Sequence, residues 1–157
     1  MNAKRLAPMV MVLGGIGWVL GHAVLPAVAQ AAPAPPASCF VAAINSARAE
    51  AGLPGLATDP GVGATAAAHS TEMAAAGDIF HNPDLAHAMP RGWAEAGENV
   101  GMGPSCATVA TALFRSPEHR ANILDSTFSV VGVGVAEGRD GTVYVTEDFL
   151  GGPTPAS

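Results

Sequence analysis

The chain has 157 residues, with thirteen acidic side chains against seven basic ones and a formal net charge of −6, which is length enough for one domain with its own core. That balance excludes the usual nucleic-acid binder: there is no Lys/Arg stripe, and an aromatic content of 5% supplies no ladder for stacking bases.

Lys4 and Arg5 precede an apolar run over 6–20, and Ala27-Val28-Ala29 offers a small-residue cleavage site, so residues 1–29 read as the signal peptide of a secreted, extracellular protein. An uncleaved anchor is the alternative, because residues 6–29 nearly suffice to span a bilayer; His22, Pro26 and the Ala-x-Ala pattern favour cleavage. Membrane contact is then confined to that segment. Its removal leaves five arginines, no lysine and a net charge of −8.

Residues 30–37, QAAPAPPA, read as an extended Ala/Pro linker. Phe40, Val41, Ile44 and Ala47 then recur at helical spacing, and Gly52 with Pro54 ends a first helix over about 39–51. Thr58 or Asp59 caps a second helix that begins with Pro60 and runs to Ala76, with Gly77 as its stop. His69 lies on its Ala/Met face and reads as a hydrogen-bonded core histidine, a ligand role being the alternative. Residues 78–105 are rich in Pro, Gly and Asn and read as one long functional loop, pinned by Phe80, Leu85, Met89, Trp93 and Val100.

A third helix occupies 106–114, and a fourth follows within SPEHRANIL, residues 116–124, where Ser116 is placed to cap and Pro117 suits the first turn. His119 sits near that helix start, where neutral imidazole is favoured. Residues 130–136 (VVGVGVA) and 142–150 (TVYVTEDFL) flank an Asp140-Gly141 turn signal and form an antiparallel hairpin. Gly132 and Gly134 leave room on one face for a closely packed helix. Alternation puts Tyr144, Thr146 and Asp148 on one face and Val145, Glu147 and Phe149 on the other. Glu147 therefore reads as partly buried, needing a partner such as His119 or Asn122. Residues 151–157 read as a frayed tail.

Cys39 and Cys106 are the two cysteines, and in an oxidising compartment an even count is most simply one disulfide, worth about 4 kcal/mol in the chain-entropy account. A nucleophilic cysteine is the lesser reading. No HExxH, Walker loop, GxSxG elbow or paired CxxC occurs. What remains is His81, Glu98 and His119. Two imidazoles and a carboxylate can hold Zn²⁺ with an open position, work as acid and base, or hydrogen-bond one another.

His81-Asn82, Gly97-Glu98-Asn99-Val100, SPEHRANIL, VGVGVA and YVTEDF, in this order, resemble the CAP superfamily of cysteine-rich secretory, antigen five and pathogenesis-related proteins, and in particular its short bacterial SCP-like members. The resemblance covers residues 38–150, and Asn45, Arg48, Leu56, Asp59, Ala67 and Met73 share in it. It implies an α+β, three-layer α/β/α sandwich with a small antiparallel sheet between helices, and a cleft lined by two histidines and two glutamates. His81, Glu98 and His119 match three of those four. The second glutamate stands three positions after a helix aromatic in longer relatives; that count from Phe114 reaches Pro117, and Glu118 should point about 100° away from His119. Many relatives carry glutamine where this chain has Glu147.

The resulting expectation is a binding module whose His81/Glu98/His119 cleft takes Zn²⁺, another divalent cation or a small polar ligand through His81 and His119, with Glu118, Glu147, Asn99, Asn122 and His69 in support. Expected partners are a small ligand, a lipid or a cell-envelope component, and no nucleic acid. The alternatives are an extracellular hydrolase with Glu98 as general base and His119 polarising the substrate, a lipid or sterol binder, or a structural domain in which the polar groups stitch the 78–105 loop to the fourth helix.

Overall fold

The computed structural model describes residues 34–152; the expected signal peptide, the first half of the linker and the end of the tail lie outside them. The first helix, α1 (Ala37–Glu50), buries Phe40, Ile44 and Arg48, one residue per helical turn. Gly52, at φ +73°, turns the chain beyond it. Thr58 closes a two-residue strand, β1 (Ala57–Thr58), before α2 (Pro60–Ala76), whose start is capped by the Asp59 carboxylate accepting from the N–H groups of Gly61 and Val62 at 2.8 and 2.9 Å.

The stretch read as one long loop contains regular structure. After a single helical turn, α3 (Leu85–Ala88), it forms a nine-residue strand, β2 (Glu95–Gly103). Its composition hides it, since glycine, glutamate and asparagine are poor strand formers. The glycines answer to packing instead: a Cβ at Gly101 or Gly103 would come 2.9 Å from a Val109 methyl, and one at Gly97 equally close to the Phe128 ring. Four of the five expected pins are in place, Leu85, Met89 and Trp93 packed on Val62 and Leu150 and Val100 on Met73 and Tyr144, while Phe80 is exposed.

Helices α4 (Cys106–Arg115) and α5 (Pro117–Ile123) follow, then β3 (Phe128–Glu137) and β4 (Val143–Gly151). The sheet runs β1-β3-β4-β2. It is antiparallel except for β1, which pairs parallel with β3 over two residues. On one face α2 lies so close that a Cβ on Gly132 or Gly134 would overlap its backbone at Val62-Gly63 and Ala66-Ala67. Phe40, Ile44, Val109, Leu113 and Ile123, from α1, α4 and α5, pack on Val145 and Phe149 on the other. The result is the α/β/α sandwich.

The disulfide Cys39–Cys106 joins the first turns of α1 and α4 across 6.5 Å between Cα atoms. Arg48, fully buried, ties α1 to the following turns: its guanidinium donates to the carbonyls of Pro54, Ile123, Asp125 and Phe128 at 2.8 to 3.3 Å. Asn45 clamps Leu56 by donating to its carbonyl and accepting from its N–H. These bonds fix where α5 leaves the core.

Candidate functional site

Glu98 lies at the middle of β2, an edge strand, and register places it opposite Asp148 of β4. Both side chains therefore point to the α2 face. Glu98 Oε1 lies 2.7 Å from His81 Nδ1 and accepts the Asn82 N–H at 2.9 Å. The two partners differ in exposure: the Glu98 side chain is 3% exposed and that of His81 66%. An ionised carboxylate only accepts, so this geometry puts the His81 proton on Nδ1 and leaves Nε2 as a lone-pair donor toward a ligand.

Beneath the pair lies His69, whose Nε2 sits 2.7 Å from the Phe80 carbonyl and 3.9 Å from Glu98 Oε2, with the Phe80 ring edge-on against it. A carbonyl also only accepts, so Nε2 carries the proton. His69 Nδ1 is 3.6 Å from Glu72, too far for a hydrogen bond, and has no partner. The core reading of His69 thus holds in geometry, with one nitrogen unsatisfied. Glu98 Oε2 and both Asp148 carboxyl oxygens are likewise buried without a hydrogen-bond partner. Burial, and secondly the charge of Glu98, push the Asp148 carboxyl up to about 8. Nothing in the sequence had marked Asp148, because its opposite number was hidden in an unrecognised strand.

One residue further along, the pair Asn99 and Glu147 points to the other face. Asn99 Nδ2 donates to Glu147 Oε2 at 3.0 Å and to the His119 carbonyl at 3.1 Å, and its Oδ1 accepts from Asn122 at 2.9 Å. Asn122 also donates to the Glu98 carbonyl at 3.3 Å. Glu147 is buried as expected, but its partner is Asn99 and neither His119 nor Asn122. Burial pushes its carboxyl up to about 7, against the lowering effect of the Asn99 bond.

His119 is half-buried, and its Nδ1 lies 2.8 Å from Ser116 Oγ. This corrects the expected cap: the Ser116 side chain bonds no backbone N–H of α5, because the imidazole three residues on competes for it. Glu118 is exposed on the first turn of α5, away from the network. Of the three expected cleft residues, His81 and Glu98 are in direct contact. His119 joins them only through backbone, by way of Asn99 and Asn122.

Among the described residues no group of three or more His, Cys, Asp or Glu side chains is placed to hold an ion; His81 and His119 are each held through Nδ1, by Glu98 and Ser116, which leaves Nε2 as the ring nitrogen that can meet a ligand.

The profile of the Cysteine-rich secretory protein family (CAP) matches residues 41–149. Among solved structures, an extracellular SCP-domain protein from Bacillus anthracis is 28% identical, with a TM-score of 0.63 over 73% of this chain and 40% of that one. An outer surface protein from Borrelia burgdorferi is 16% identical, with a TM-score of 0.67 over 74% and 92% of the two chains. A cysteine-rich secretory protein from Staphylococcus aureus is 20% identical, with a TM-score of 0.61 over 72% of this chain and 37% of that one. This chain therefore spans well under half the length of the Bacillus and Staphylococcus relatives. No curated protein matches the sequence.

Proposed function

Because the chain belongs to the cysteine-rich secretory protein (CAP) family, we propose that it is an extracellular binding module in which His81, oriented by Glu98, receives a small polar ligand at the edge of β2, without turnover. One observation carries this reading: a buried carboxylate fixes an exposed imidazole through Nδ1 at 2.7 Å. A structural stitch has no need of an exposed, pre-oriented imidazole. A ligand site gains from one, since the orientation cost is met before the ligand arrives. The extracellular placement rests on the signal-like sequence at 1–29 and on the extracellular Bacillus relative. Among the described residues no helix is long and apolar enough to cross a membrane.

A divalent cation such as Zn²⁺ is the second reading, favoured by the partnerless Glu98 Oε2 beside His81. It requires a third donor, for which His119 offers Nε2, its Nδ1 being held by Ser116.

The experiment is a calorimetric titration of metal-stripped protein, first with Zn²⁺ and then with amino-sugar and peptide fragments of cell envelope. The polar-ligand reading predicts saturable fragment binding that is lost in Glu98→Ala, which removes the acceptor that orients His81. The metal reading predicts Zn²⁺ heat that disappears in the His81→Ala, His119→Ala double variant. Fragment binding unchanged in Glu98→Ala would sink the first reading.

A further inference from the structure

The β3/β4 turn fixes which backbone groups of the sheet are free. Gly138 N–H donates to the Thr142 carbonyl at 2.8 Å, so by alternation the mutually bonded rungs of β3 and β4 are Ala136/Tyr144, Gly134/Thr146 and Gly132/Asp148. The intervening residues of β4 then bond to β2 at Gly97, Asn99, Gly101 and Gly103. Glu98, Val100 and Met102 of β2 turn their N–H and C=O groups outward. Asn122 meets one of these, the Glu98 carbonyl. Among the described residues no hydrogen bond reaches those of Val100 and Met102. The devices that usually protect an edge strand are missing: β2 has no register shift against β4, no proline and no lysine.

The same stretch borders a groove of about 660 Å³. Its floor is one row across the sheet, Ala136, Tyr144 and Met102, in register on the α2 face. The last turn of α2 forms one wall, and the β3/β4 turn, with Glu137 and Asp140, forms the other. The row ends at Met102, which is 43% exposed. Ile79 and Phe80 are the other exposed large apolar side chains of the described residues. They belong to the segment that leaves the groove at Gly77 and reaches Glu98 through His81, so they flank β2 beside its free backbone groups.

We propose that the outer edge of β2 at Val100 and Met102 is a docking site for an extended peptide carrying a lysine or arginine, which adds as a fifth strand and lays that side chain along the groove. Outward N–H and C=O groups on every second residue match an extended backbone and no compact ligand. A residue of the added strand beside Met102 continues the floor row by one place, at the mouth of the groove. Its aliphatic stem lies over Met102 and Tyr144.

Charge complementarity selects the head group. The groove holds Glu137, Asp140 and the carbonyl end of α2, which has no basic residue in its last turn. Gly77 and Asp78 both donate to the Met73 carbonyl, leaving those of Ala74, Ala75 and Ala76 without a backbone partner. Arg139 also lines the groove but is exposed. A second copy of this chain, itself at −6, is disfavoured as the added strand by the same charge.

The test titrates the full chain calorimetrically with two capped hexapeptides of alternating valine and threonine, one carrying a central lysine and the other a central glutamate. Amide exchange is followed residue by residue by NMR. The lysine peptide is expected to bind saturably, to slow exchange at Val100 and Met102, and to bind about tenfold tighter than the glutamate peptide, attraction in one adding to repulsion in the other. Glu137→Lys should remove that preference. N-methylating the peptide amides that face β2 should abolish binding without any change to the protein. Met102→Pro removes an outward N–H at a position where an edge strand tolerates proline; with its fold checked by circular dichroism melting, it should weaken binding at least about tenfold.

No saturable binding, equal affinity for the two peptides, or undiminished affinity of the N-methylated peptide would each overturn the proposal. So would protection confined to the residues around His81, or to Val133 and Val135 on the opposite edge of the sheet. Self-association of the chain, seen by sedimentation and lost in Met102→Pro, would overturn it in favour of a second copy.

Discussion

The two faces of the β2/β4 ladder solve the same problem in opposite ways. At one rung Glu98 stands opposite Asp148, two acids on the α2 face; at the next, Asn99 stands opposite Glu147, an amide and an acid on the α5 face. The second pair is bonded at 3.0 Å, and the first leaves three carboxyl oxygens without a partner. Neighbouring rungs share backbone geometry and depth, so the difference lies in donor count. An amide opposite an acid satisfies it, whereas an acid opposite an acid leaves a proton as the remaining way to reduce the charge. The partnerless side is the one that carries the exposed imidazole of His81. Tension in the acid pair thus lies directly beneath the proposed ligand site.

Replacing one acid of the tense rung should produce the largest effect. Asp148 is raised in the folded protein from 3.8 to about 8. Between these values the native state holds a proton that the unfolded state has released, so stability is lost as pH rises through that window. Asp148→Asn removes the loss and is expected to stabilise the protein at pH 9 by on the order of 3 kcal/mol relative to its effect at pH 4. Urea denaturation at the two pH values measures it, and an equal effect at both would break the contrast between the faces.

Asn99→Ala attacks the satisfied rung. It deprives Glu147 of its donor and releases the His119 carbonyl, for an expected cost of about 2 kcal/mol at neutral pH by the same denaturation. The cost should shrink as pH falls through about 7, where Glu147 takes up a proton and demands less of its partner.

His81→Ala removes an exposed side chain and leaves the Asn82 N–H on Glu98, so it should cost no more than about 1 kcal/mol in metal-free protein while abolishing ligand binding. A large fall in melting temperature without metal would favour the stitching role instead. Ser116→Ala should be smallest, within about 0.5 kcal/mol, because its hydroxyl caps no backbone group. A loss of about 1 kcal/mol, the usual value of a cap, would restore the capping role that the sequence suggested.

What could be read from the sequence follows from this ladder. Helical spacing marked Phe40, Ile44 and the Ala-rich stretch around Val62 to Met73, turn chemistry marked the 130–150 hairpin, and the cysteine pairing followed from there being two. β2 escaped because its glycines meet Val109 and Phe128, contacts made by residues distant in the chain. Without β2 there was no register, and without register neither the Glu98/Asp148 pair nor the Asn99/Glu147 bond could be inferred. Alternation still placed Glu147 correctly on the apolar face, because that depends on β4 alone. Ser116 misled for a local reason: cap and imidazole compete for one hydroxyl, and the sequence contains both.

The most direct test of the account is the ring ¹⁵N spectrum of His81 at a pH where its imidazole is neutral. Orientation by Glu98 through Nδ1 predicts a proton on Nδ1 and a bare Nε2, reverting in Glu98→Ala, which removes the acceptor, to the mixture of a free histidine. A His81 ring already carrying its proton on Nε2 in the wild type would contradict it.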